Sequence, residues 1–138
     1  MGKVHFNTFG GNPVATAVGR AVLEVIEKER LQENARNLGS RIKAGLEKLK
    51  SKYPVIGDVR GQGLLLGIEM VKDRVTKEPA TAECAAVLER ARALGLLLGR
   101  GGLWGQTIRL APPMCITAAD ADFIVAVLDA AFAVTAEK

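Results

Sequence analysis

Val55-Ile56-Gly57-Asp58-Val59-Arg60-Gly61-Gln62-Gly63-Leu64-Leu65-Leu66-Gly67-Ile68-Glu69-Met70-Val71 decides the fold. Val55 to Arg60 and Leu64 to Val71 read as two strands, and Gly61-Gln62-Gly63 between them reads as a hairpin turn. Strands joined by so short a link run antiparallel. Asp58 and Arg60 lie two apart, so they share one strand face and can pair with neighbours in a structural role.

Helices flank this hairpin. Asn12 is a good N-cap and Pro13 suits the first helical position, so a helix is expected from Pro13 to about Glu29, with Val14, Val18, Val22, Val25 and Ile26 on one face. Arg30 to Lys52 reads as a second helix. Its apolar residues Leu31, Ala35, Leu38, Ile42, Leu46 and Leu49, continued by Tyr53, recur at spacings of three and four. That seam suits packing on the domain's own sheet better than a coiled coil. Tyr53-Pro54 ends it.

Downstream, Asp73 to Ala80 reads as a charged loop. Thr81 is expected to cap a helix that runs to about Leu94 and closes at Gly95. Leu96 to Leu98 reads as a short strand, Gly99 to Gly105 as a glycine-rich loop that can border a substrate, and Thr107 to Leu110 as a strand ended by Pro112-Pro113. Alternation puts Ile108 and Leu110 on one face and Arg109 on the other. An arginine held at the end of a strand suits a two-point grip on a carboxylate, although pairing with a structural carboxylate is the commoner use. Thr117 begins the last helix, with Asp120 as a short capping-box partner. Trp104 is an interaction candidate if exposed and a core residue if folded back.

Composition narrows the function classes. A chain of 138 residues with 49% hydrophobic and 25% charged residues is sized and built for a globular core. No run approaches the ~20 apolar residues of a membrane span. The formal net charge is +4, and Arg30, Arg36, Arg41, Lys43, Lys48, Lys50 and Lys52 fall in one helical segment. Interleaved with apolar residues, they read as a solvated helix face; nucleic-acid binding is disfavoured because no aromatic residues are interleaved for stacking. Cys84 and Cys115 have neither CxxC nor zinc spacing and are expected as small buried apolar residues in a reducing compartment. The single histidine, His5, cannot build a metal site, so no metal is expected. Gly61-x-Gly63-x-x-x-Gly67 imitates a dinucleotide fingerprint, but that motif needs a helix after the glycines and a strand follows here.

Three segments carry a family resemblance. Thr8-Phe9-Gly10-Gly11-Asn12-Pro13, then Gly57-Asp58-Val59-Arg60-Gly61-Gln62-Gly63-Leu64, then Ile108-Arg109-Leu110-Ala111-Pro112-Pro113 together resemble the C-terminal part of a class III aminotransferase. Within that group, Gly67-Ile68-Glu69-Met70-Val71 and Pro113-Met114-Cys115-Ile116-Thr117 are most similar to the alanine–glyoxylate enzymes. The resemblance implies a fold type I enzyme dependent on pyridoxal 5'-phosphate. It also implies that Thr8 contacts the cofactor phosphate of the partner subunit and that Arg109 binds the substrate α-carboxylate. A hydroxyl beside a helix N-terminus suits a phosphate.

In that family the Schiff-base lysine, the acidic partner of the pyridine nitrogen and the ring-stacking aromatic all lie upstream of the Thr-Phe-Gly-Gly-Asn-Pro motif. Lys3 stands too close to the motif to be that lysine, and Met1-Gly2 reads as an added start. The expectation is therefore an α+β domain: a small antiparallel sheet with helices covering one face, preceded by a long helix pair. The resemblance implies the small C-terminal domain of a fold type I enzyme. Residues 1–12 are expected as a loop continuing from a missing large domain, and residues 13–138 as the small domain with its leading helix.

The implied parent moves an amino group between an amino acid, alanine by resemblance, and a 2-oxo acid, glyoxylate by resemblance. It is a homodimer or a dimer of dimers, mitochondrial if a eukaryotic alanine–glyoxylate enzyme and cytoplasmic otherwise. No catalytic residue is expected in this chain, which alone is expected to be inactive and not to bind the cofactor. The alternative is a non-catalytic binding or dimerisation module derived from the same domain.

Overall fold

The computed structural model describes residues 6–136; the readings placed on Met1-Gly2, Lys3 and His5 lie outside the described residues. The chain divides into two compact units, residues 1–32 and 33–138.

In the first unit, α1 spans Pro13–Lys28. Asn12 caps it as its sequence predicts, accepting from the Ala15 N–H at 2.9 Å, with Pro13 in the first turn. The valine face shows no burial: Val14, Val18 and Val22 are all exposed. The second helix, α2, spans Leu31–Lys52. Arg30 is not its first residue, contrary to the sequence reading; it takes the left-handed conformation (φ 53°) that ends α1.

The second unit holds all of α2 but its first two residues, together with β1 (Ile56–Gln62), β2 (Leu65–Met70), α3 (Thr81–Ala93), β3 (Gly99–Gly101), β4 (Thr107–Leu110) and α4 (Ala118–Phe132). The four strands form one sheet in the order β1-β2-β4-β3, with every neighbouring pair antiparallel. This is the α+β architecture expected from the sequence.

Several boundaries move. Gly61 and Gln62 belong to the ladder, opposite Leu66 and Leu65, so the hairpin turns at Gly63-Leu64. Gly63 supplies the positive φ of 54° that the turn needs. Thr81 does not cap α3: Ala80 holds that position without a side-chain bond, and the Thr81 hydroxyl donates to the Trp104 carbonyl at 2.9 Å. Leu96–Leu98 is not a strand. The Leu96 N–H turns back to the Ala91 carbonyl (2.9 Å) and Gly95, at φ 90°, donates to Arg92 (3.0 Å), closing α3 in a Schellman motif. Only after that reversal does the chain reach β4, so the edge strand forms from Gly99–Gly101 instead.

The seam of α2 enters the core as its spacing predicts. Leu38, Ile42, Leu46 and Leu49 are buried with Ile56, Leu66, Ile68 and Met70 of the hairpin, Ile108 and Leu110 of β4, and Leu128 and Phe132 of α4. The fit is close enough that a Cβ on Gly39 would stand 2.0 Å from the Gly63 carbonyl oxygen. The Tyr53 and Phe132 rings stack at 5.6 Å between centroids. The capping box of α4 is present, with Thr117 and Asp120 exchanging side-chain-to-backbone bonds. The basic face of α2 is solvated and in part neutralised by α4: Arg41 pairs with Asp122 and Lys52 with Asp129, each at 2.7 Å.

The two cysteines part company. Cys84 is buried, and burial pushes its thiol up from its ordinary value. Cys115 is exposed, against expectation, because it lies in the loop between β4 and α4 outside the packed layer.

Candidate functional site

Alternation along the strands separates two faces of the sheet. Leu66, Ile68, Met70, Ile108 and Leu110 point into the core. The opposite face carries Asp58 and Arg60 from β1, Gly67 and Glu69 from β2, and Thr107 and Arg109 from β4. Register aligns these into two rows across the sheet: Arg60–Gly67–Arg109–Gly99, and Asp58–Glu69–Thr107–Gly101.

The two arginines of the first row are treated differently. Arg60 donates to both neighbouring carboxylates: it pairs with Glu69 and, at 3.2 Å, with Asp58. Glu69 first, and then Asp58, hold its guanidinium above the ordinary arginine value. The Gln106 amide donates to the other Glu69 oxygen at 3.3 Å. The Lys50 ammonium stands 3.8 Å from Asp58. Arg109 is exposed and has no hydrogen bond or ion pair among the described residues. Its side chain lies over Gly99, where a Cβ would stand 3.0 Å from Arg109 Nε. Arg109 borders two hollows. One, about 340 Å³, is walled by Leu96–Leu98 and Pro112–Pro113; the other, about 400 Å³, lies on the open sheet face toward Arg60 and Gly67.

The surroundings of Arg109 are fixed from behind. On the helix side, the Asn34 amide donates to the carbonyls of Met114 (2.8 Å) and Ile116 (3.0 Å), which pins the loop after Pro112-Pro113. On the edge side, Arg100 donates to the carbonyls of Gly105 (2.7 Å) and Thr81 (3.2 Å), holding the glycine-rich loop against α3. The Trp104 backbone is thus anchored while its ring is exposed, so it is not a core residue. The Thr107 hydroxyl is buried on this side of the sheet without a partner.

Thr8 belongs to the first unit. It lies in a turn where the Asn7 side chain accepts from the Phe9 and Gly10 N–H groups (3.3 and 3.1 Å) and Gly11 takes φ 74°. Thr8 is exposed, has no partner among the described residues, and precedes the N-terminus of α1. A free hydroxyl there is compatible with one contact to a phosphate.

Among the described residues, no cluster of His, Cys, Asp or Glu could hold a metal ion, and no helix is long and apolar enough to cross a membrane. Sequence reading singled out Arg109 and Thr8 but missed Glu69, Gln106 and Asn34. Strand parity alone would have put Glu69 on the Arg109 side of the sheet, had the register been known.

The antiparallel α+β domain is shared with known proteins. The family profile described as "Aminotransferase class-III" matches residues 1–132. The chain belongs to the class III aminotransferase family, whose members depend on pyridoxal phosphate. It is 54% identical over 127 residues to alanine–glyoxylate aminotransferase 2 homolog 2, mitochondrial, of Arabidopsis thaliana, covering 92% of this chain and 27% of that protein. A Bacillus anthracis aminotransferase superposes with a TM-score of 0.86 at 38% identity, over 94% of this chain and 30% of its own. An amine transaminase from an uncultivated Pseudomonas species, in its PLP-bound form, gives 0.84 at 35%, over 94% and 29%. The chain thus spans about a quarter of the length of the Arabidopsis relative.

Proposed function

We propose that this chain forms the C-terminal small domain, with its leading loop and helix, of a transaminase exchanging an amino group between alanine and glyoxylate. The observation that carries the reading is the unpartnered Arg109 guanidinium, on a face where the neighbouring arginine is fully engaged by carboxylates. A planar guanidinium without an internal partner can take a substrate α-carboxylate through two parallel bonds, fixing position as well as charge. Pro112-Pro113 and the Asn34 bonds hold the strand end from which it projects. The Arabidopsis relative's name supports the pair of substrates, and the aminotransferases among the neighbours favour an enzyme over a non-catalytic module.

Pyridoxal phosphate, when bound, supplies the electron sink and carries the amino group. The part assigned to this chain is to orient and bind. Thr8 donates its hydroxyl to the cofactor phosphate of the partner subunit, which makes the working unit a homodimer or a dimer of dimers. The isolated 138-residue chain is inactive. The parent resides in the mitochondrion if eukaryotic and in the cytoplasm otherwise.

The test is kinetic. In the full-length enzyme, Arg109→Lys raises KM for alanine and lowers kcat/KM, because a point charge cannot reproduce the fork; where substrate binding buries the pair, losing one charged partner costs about 2–5 kcal/mol. Unchanged kinetics with Arg109→Ala would assign the carboxylate to another residue.

A further inference from the structure

We propose that Arg60 is a positioning residue whose task is to hold Glu69 away from Arg109, keeping Arg109 open to the substrate carboxylate. The inference rests on the reading of Arg109 given under Proposed function.

The register creates the problem that Arg60 solves. Gly67 sits between the two arginines, opposite Arg60 on β1 and opposite Arg109 on β4. Glu69 is two residues further along β2 on the same face, so it is a diagonal neighbour of both. Such diagonals are roughly 7–8 Å apart at the backbone, within reach of two long side chains. Register therefore places Glu69 on a diagonal of each arginine, and Gly67 offers no side chain to separate them. A carboxylate fixed on the same sheet acts at an effective concentration of millimolar order or more, which would compete with a small substrate.

The structure shows where Glu69 goes. One oxygen pairs with Arg60, and Gln106 donates to the other. Asp58 keeps the Arg60 side chain on this face from the far side. The Arg109 guanidinium turns the opposite way, over Gly99. Two carboxylates and two arginines share the face, yet both carboxylates engage Arg60. An even pairing would have closed Arg109.

Removing the Arg60 guanidinium leaves Glu69 with a single cation on its diagonals. Glu69 then pairs with Arg109, and the substrate must displace it. In the full-length, cofactor-loaded enzyme, Arg60→Gln is expected to raise KM for both alanine and glyoxylate by about fivefold, the upper end for a half-exposed ion pair. The value of kcat at saturating substrate stays near wild type. The double variant Arg60→Gln/Glu69→Gln recovers the wild-type KM because the competitor is gone, and Arg60→Lys recovers most of it because a cation is restored.

A readout independent of turnover is the crystal structure of the Arg60→Gln enzyme, where the Glu69 carboxylate is expected within about 4 Å of the Arg109 guanidinium. An unchanged KM in Arg60→Gln, a double variant as impaired as the single one, or Glu69 still turned away from Arg109 would each overturn the proposal. If Arg109→Ala leaves KM unchanged in the same assays, the carboxylate reading itself fails. If Arg109→Ala raises KM while Arg60→Gln does not, only the role of Arg60 fails.

Discussion

Gly39→Ala tests how tightly α2 is seated on the β1–β2 hairpin. The added methyl would stand 2.0 Å from the Gly63 carbonyl oxygen, 2.3 Å from its carbon and 2.7 Å from Gly63 Cα. All three are backbone atoms, so no rotamer change relieves the overlap. Gly63 cannot retreat easily either, since it holds the positive φ of the turn and the next pair, Gln62 and Leu65, is already in the ladder. Overpacking a tight core costs about 1–3 kcal/mol, and a backbone clash belongs at the upper end. Alanine returns about 1 kcal/mol of helix propensity. The net loss is about 2 kcal/mol. With a urea m-value of about 2 kcal/mol/M, the unfolding midpoint falls by about 1 M at constant m. Gly19→Ala is the matched control, because Gly19 is helical and its Cβ position meets nothing within 4 Å. That variant gains up to about 1 kcal/mol. A Gly39→Ala chain as stable as wild type would refute the contact between α2 and the hairpin.

Arg74 donates to the carbonyls of Pro54, Ile56 and Tyr53 at 3.1 Å each and also to that of Lys50, tying off the C-terminus of α2. Arg74→Ala removes these four bonds and is expected to lower stability by about 1–3 kcal/mol in chemical denaturation, with Arg74→Lys recovering only part. The Asp129 carboxyl is held below its ordinary value, by the Lys52 bond first and then by Tyr53. The folded state therefore binds fewer protons than the unfolded state; this stability is present above the unfolded carboxylate value of about 3.9 and is lost as pH falls through the lower folded value. An acid titration of Asp129→Asn should show a shallower loss in that window. In the full-length enzyme, Thr8→Val should weaken cofactor retention by about 1.5–3 kcal/mol, one hydrogen bond to a charged group, measured as pyridoxal phosphate dissociation at fixed protein concentration. Equal retention would make Thr8 a loop residue only.

What was legible in the sequence follows from how local each signal is. Asn12-Pro13 and Thr117 with Asp120 mark helix starts because the cap is formed within four residues. Arg109 is legible because alternation and a Pro-Pro stop fix both its face and its strand end. Thr81 misleads because its hydroxyl finds a tertiary acceptor, the Trp104 carbonyl, that no local rule contains. Leu96–Leu98 looks like a strand by composition, but the Schellman closure uses the Leu96 N–H and shifts pairing to Gly99–Gly101, where Gly99, lacking a side chain, makes room for Arg109. The engagement of Arg60 by Asp58 and Glu69, which leaves Arg109 open, depends on cross-strand register. A sequence read one strand at a time does not hold that information.

The role of Arg109 is tested by a crystal structure of the full-length enzyme with a non-reactive analogue of alanine that keeps the α-carboxylate. Two parallel bonds of about 2.7–2.9 Å are expected from the Arg109 guanidinium to the two carboxylate oxygens, with Glu69 still on Arg60. A carboxylate held by other residues, with Arg109 turned away from it, would remove that role.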